Sequence, residues 1–152
     1  MTDWKADIEE ATGDFITVAR LARAPGGPED IHVEYLAAPH TPLRHLPTGK
    51  MAVYGFWHGG EWLKIGMAGP HSNARYTSQH YNPNSAGSTL ASSLLNDPRM
   101  SNWPSFRPSA PRDWIKSATN RVNILLDSKH GPLLLALLEA FLHLRLRPRY
   151  EK

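Results

Sequence analysis

Tyr54, Lys64 and Arg75 fall within one compact stretch, MAVYGFWHGGEWLKIGMAGPHSNARYTSQHY, from Met51 to Tyr81. A lysine ammonium near a phenol favours the phenolate, so Lys64 is expected to lower the pKa of Tyr54 and make it a proton acceptor. Arg75 is a planar cation able to hold two non-bridging phosphate oxygens and to stabilise the charge of a pentavalent transition state. His80 could bind phosphate or shuttle a proton. Far along the chain, Glu139 stands among the apolar residues of Leu133–Leu144. A carboxylate there is costly to bury unless it pairs with an arginine, sits at a partly exposed helix edge, or holds a metal.

The elements that must position these groups are legible around them. Met51–Trp57 and Glu61–Met67 are two β-favouring runs joined at His58-Gly59-Gly60, a hairpin signal. Gly69-Pro70 then breaks the chain, and Ser72 is an N-cap candidate for a helix carrying Arg75. The order strand, turn, strand, loop, helix lets Tyr54, Lys64 and Arg75 face one surface. Upstream, residues 3–24 suit one amphipathic helix, or two broken at Gly13, and Ile31–Leu36 alternates as a strand. Downstream come a short helix at Ser88–Leu95 and a Pro-rich loop over 98–111 with exposed-looking Trp103 and Phe106, a candidate substrate-contacting element. A helical turn at Asp113–Lys116, a third strand at Arg121–Leu126 and a last helix from Leu133 complete the chain. That helix is apolar nearly all round and is expected to be the central buried one.

The 152 residues suit one core, and the absence of cysteine excludes disulfides and thiolate metal sites. No apolar run is long enough to span a membrane, and the Met1–Lys5 segment, followed by acidic residues, lacks a signal-peptide pattern. A soluble, cytoplasmic protein is expected. The net charge of +3 is compatible with a polyanionic partner. Arg107, Arg112, Lys116 and Arg121 form one basic group and Arg145, Arg147, Arg149 and Lys152 another, placed to contact a DNA backbone.

Val53-Tyr54, Lys64-Ile65-Gly66 and Arg75, followed by Glu139-x-x-Leu142 on the last helix, resemble the pattern of the GIY-YIG nucleases. Ala52 stands where the first glycine is usual, and Lys64 replaces the second tyrosine, a departure that resembles the restriction-endonuclease branch. The usual His or Tyr four residues after the arginine is Gln79 here, leaving Tyr76, Gln79 and His80 as candidates, with His80 preferred. The asparagine expected after Pro148 is replaced by Arg149.

The resemblance implies an α/β (α+β) fold, with a small three-stranded mixed sheet flanked by helices. Residues 1–48 would be a helix–strand extension packing on a nuclease domain at 49–152. It further implies Mg²⁺-dependent hydrolysis of DNA, with Mn²⁺ substituting, in which Tyr54 activates water, Arg75 holds the phosphate and Glu139 binds the metal. Double-stranded DNA is the expected partner, the protein being a monomer or homodimer, from a prokaryote or phage, in restriction or defence. The alternatives are a catalytically weak or inactive nucleic-acid-binding module of the same fold and a structure-selective nuclease of repair or recombination.

Overall fold

The computed structural model describes residues 3–25, 30–85 and 89–150. Helix α1 (Trp4–Leu21) starts at Asp3, whose carboxylate accepts the Lys5 amide N–H, and buries Trp4, Ile8, Ala11, Phe15 and Ala19 along one stripe. It runs unbroken through Gly13. One internal glycine costs about 1 kcal/mol relative to alanine, less than the burial of that stripe returns.

Strands β1 (His32–Leu36), β2 (Lys50–His58), β3 (Glu61–Ala68) and β4 (Asn120–Asp127) form one sheet in the order β1-β4-β2-β3. The sheet is four-stranded and antiparallel throughout, not three-stranded and mixed. The strand expected at 31–36 joins it by pairing with β4, Glu34 opposite Asn123 and Tyr35 opposite Val122. β2 and β4 are the inner strands and are buried on both faces.

Alternation along these strands sorts side chains into two cores. On one face Val53, Ile65, Val122, Ile124 and Leu126 pack with α1 and with α5 (Pro132–Leu146). On the other, Tyr54, Phe56 and Leu125 meet α2 (Asn73–Thr77), α3 (Leu90–Leu95) and α4 (Pro111–Ala118). α5 is less enclosed than its composition suggests. Leu134, Leu135, Leu138 and Leu142 are buried, whereas Leu133 and Leu144 are 84% and 66% exposed. Among the described residues no helix is long and apolar enough to cross a membrane.

The Pro-rich segment after α3 also differs from expectation. Phe106 is buried edge-on to Trp114, with ring centroids 5.8 Å apart, and Trp103 packs on His58 at 5.5 Å. These aromatics hold the segment against α4 and the hairpin end, while most of its other residues stay exposed. Two of the C-terminal basic group are engaged by the chain's own acids, Arg145 with Asp14 and Arg149 with Glu61, while exposed Arg147 donates to the Leu144 carbonyl; Lys152 lies outside the described residues.

Beyond α5, the Arg149 and Tyr150 amides donate to the carbonyls of Trp62 and Leu63 on β3, both at 2.9 Å. The Tyr150 hydroxyl donates to Asp97 at 2.7 Å, and Arg99 grips the same carboxylate with two N–H groups at 3.0 Å. The Arg99 hydrogen bonds hold the Asp97 carboxyl down to about 2. Its folded pKa lies below the unfolded value, so its stabilisation is complete above about pH 4 and is lost as the pH falls through about 2. Asp97→Asn is therefore expected to lower the denaturant midpoint at pH 7 and to narrow its gap from wild type towards pH 2, as measured by urea unfolding across that range.

Candidate active site

The β2–β3 turn places the first residues of the site. Gly59 and Gly60 adopt φ of 60° and 89°, a left-handed pair that closes the hairpin and sets Tyr54 opposite Gly66. On its other side Tyr54 faces Asn123 of β4. The ring lies across Gly66. A Cβ there would come within 3.0 Å of the Tyr54 oxygen and 3.1 Å of Cζ, so the glycine is what lets the phenol lie flat on β3. Lys64, opposite Phe56, is only 6% exposed, which rules out a solvent-side hairpin lysine.

Tyr54 is fully buried, and its oxygen is 2.8 Å from His80 Nε2. His80 lies on a short 3-10 helix, Gln79–Tyr81, that continues from α2. The Leu90 amide donates to His80 Nδ1 at 3.2 Å. In the neutral ring this makes Nδ1 the acceptor and places the hydrogen on Nε2, which then donates to the Tyr54 oxygen. Burial, reinforced by Arg75, Arg121 and Lys64, pushes His80 down to about 3. With both nitrogens engaged in a buried neutral ring, His80 is a hydrogen-bond donor to Tyr54 rather than a phosphate ligand. Of the three candidates after Arg75, it is the one bonded to the phenol. Tyr76 packs edge-on against the Tyr54 ring at 6.1 Å, and Gln79 is half-buried beside it in sequence.

Arg75 is anchored by Nε donating to the Met67 carbonyl at 3.2 Å. The positive charge of its guanidinium favours the ionised form of Tyr54. Glu139, half-buried on α5, acts on the same phenol with the opposite sign. α5 packs on β3 and β2, where His143 Nε2 donates to the Ile65 carbonyl at 3.0 Å. The expectation that lysine would make Tyr54 unusually acidic is overturned. Burial raises its pKa well above the ordinary range, Arg75 and Arg121 oppose this most, and desolvation outweighs them.

Arg121 was assigned to a surface group and is instead 1% exposed. Its Nε donates to Asn123 Oδ1 at 2.8 Å, one terminal nitrogen to the Tyr81 hydroxyl at 3.2 Å, the other to the Tyr76 carbonyl at 2.6 Å. The guanidinium carbon lies 4.9 Å from the Tyr54 ring centroid, 5.1 Å from Tyr76 and 5.3 Å from Phe56. Tyr81 passes the chain on, donating to His40 Nε2 at 2.8 Å, while His40 Nδ1 donates to the Thr119 carbonyl at 2.8 Å. A signal for this network was present. Arg121 and Asn123 take same-face positions in a strand otherwise apolar enough to be internal.

Among the described residues no group of three or more His, Asp or Glu side chains could hold a metal ion. The structure thus joins Tyr54 to His80 by a hydrogen bond and sets Arg75, Lys64 and Glu139 within electrostatic reach of the pair.

Gly66→Ala should displace the Tyr54 ring and cost about 1–3 kcal/mol of stability, the range for overpacking a closed site, read by denaturant unfolding. His80 should remain neutral and Nε2-protonated at pH 5, visible in long-range ¹H–¹⁵N spectra of the ring. Because its folded pKa is below the ordinary 6.5, the unfolded chain takes up the proton first. Its contribution is therefore undiminished above about pH 6.5 and becomes progressively destabilising down to about pH 3.

No protein-family model, no curated protein and no solved structure matches the chain.

Proposed function

We propose that the protein is a Mg²⁺-dependent DNA endonuclease of the GIY-YIG kind, in its lysine-bearing, restriction-like form. The observation that carries this reading is the Tyr54 hydroxyl bonded to His80 Nε2–H at 2.8 Å, with the Arg75 guanidinium and Glu139 both close enough to act on the same phenol electrostatically. The His80 hydrogen bond and the Arg75 charge both favour negative charge on the phenol oxygen, as a general base requires.

In this mechanism ionised Tyr54 takes a proton from water while the water oxygen attacks phosphorus. Arg75 holds the non-bridging oxygens as charge develops on them. The P–O3′ bond breaks, leaving a 3′-hydroxyl after protonation and a 5′-phosphate. His80 stays neutral and keeps Tyr54 oriented through its Nε2–H. Glu139, with phosphate oxygens and water, would hold the Mg²⁺; this all-oxygen set with few protein ligands suits that ion, which when bound supplies positive charge to the leaving oxygen. Duplex DNA is the proposed substrate, in restriction or defence.

One observation favours a second reading, a nucleic-acid-binding module with little activity. Tyr54 is entirely buried and holds its proton tightly. A plasmid-nicking assay separates the two. Cutting is expected with Mg²⁺ or Mn²⁺, none with EDTA, and a loss of at least about a hundredfold, the scale of a lost acid–base group, in Tyr54→Phe. Glu139→Ala should abolish cutting while leaving DNA binding largely intact. No cutting of duplex, single-stranded or branched DNA by wild type would leave the binding module as the function.

A further inference from the structure

Burying a cation is expensive unless a carboxylate accompanies it. Arg121 is 1% exposed, and its hydrogen-bond partners are an amide, a phenol and a backbone carbonyl. The residue best placed to neutralise it is Asn123, which is fully buried and already accepts from Arg121 Nε through Oδ1. Asparagine there carries a second cost, because its Nδ2 is buried with no hydrogen-bond partner. Aspartate has the same shape, would keep the Arg121 bond, supply the missing charge and remove the orphaned donor. The chain bears two unfavourable features at one spot that a near-isosteric substitution would relieve together.

The spot adjoins Tyr54. Asn123 is its register partner on β4, and the Arg121 guanidinium lies 4.9 Å from its ring centroid. We propose that Arg121 and Asn123 form a positioning pair in which asparagine leaves the arginine charge uncompensated, so that this permanent internal cation stabilises negative charge on the Tyr54 oxygen. Arg121 touches no substrate in this role. It works from beneath the ring, while Arg75 on α2 acts by its charge and His80 on the 3-10 helix acts at the oxygen itself. The charges facing the phenol from the remaining elements are Glu139 on α5, which opposes ionisation, and Lys64 on β3, which acts on His80. Glu34 of β1, opposite Asn123, acts on Tyr76. Arg99 and Arg149 are spent on acids elsewhere, so Arg75 and Arg121 are the two arginines that bear on Tyr54.

The proposal rests on Tyr54 acting as the base, and its test has a readout that does not need cleavage. Difluorotyrosine at position 54, intrinsically more acidic than tyrosine, brings the phenol into a measurable range for ¹⁹F NMR titration of the free protein. Asn123→Asp is expected to keep a melting temperature at or above that of wild type, as a lone buried cation gains its partner. In the same variant the position-54 phenol should titrate about one pH unit higher, and kcat for plasmid nicking should fall about tenfold, the equivalent of one unit, with KM for DNA unchanged. Arg121→Lys, which keeps the charge without the planar fork, should titrate closer to wild type than Arg121→Met. If Asn123→Asp folds and its phenol titrates as in wild type, the pair is structural only and the proposal is overturned. If Asn123→Asp fails to fold, the Lys and Met variants decide by the same titration, and equal values in both overturn it. A shifted phenol in a protein that cuts no DNA would uphold the pair and reject the nuclease.

Discussion

The half of the molecule containing α2, α3 and α4 is built around a charge that cannot reach water. Arg121 projects from an inner strand into a core of Tyr54, Phe56, Tyr76 and Tyr81, and those rings offer their faces and a hydroxyl where an acid would be expected. Aromatic quadrupoles attract a cation, each contact being worth about 0.5–2 kcal/mol. The hydrogen-bond donors of the fork fix where the surrounding pieces must lie. The Tyr76 carbonyl ties down α2, Tyr81 ties the 3-10 helix, and His40 links the Pro-rich segment before β2 to the end of α4. His80 lies between Tyr54 and the start of α3 within the same set of contacts. The position of the buried Tyr54 phenol is therefore a consequence of where one guanidinium is housed.

Much of the local structure was legible in the sequence. The paired glycines after His58, the alternation at 31–36 and the apolar periodicity of α1 each correspond to an element. Their signals are local, the backbone freedom of glycine or the period of a buried face. What stayed hidden was long-range. No pattern within Ile31–Leu36 says that it must pair with residues 121–125, and that pairing turned a three-stranded expectation into a four-stranded sheet. Trp103 and Phe106 read as exposed because prolines surround them, yet each finds an aromatic partner on another element, His58 on β2 and Trp114 on α4.

At the site the same division holds. Tyr54, Lys64 and Arg75 were found from spacing in one hairpin and the following helix, and Gly66 from its place after Lys64-Ile65. The sign of the effect on Tyr54 was not, because the depth of burial decides it and depth is a property of the assembled cores. Arg121 was misplaced for the opposite reason. Arginine is so rarely internal that composition argues for the surface, and only its alternation with Asn123 in an apolar strand pointed inward.

The segment after α5 has a bearing on how the protein behaves among its own copies. β3 is a terminal strand of the sheet, and an unpaired strand edge invites another chain to add to it. Here Arg149 and Tyr150 occupy part of that edge, at Trp62 and Leu63, and Asp97 holds the tail in place. The strand that carries Lys64 and Gly66 is thereby closed to intruding strands at the end nearest the hairpin turn. Cover of this edge thus depends on one clasp, so proteolytic nicking near the end of α5 would uncover the strand.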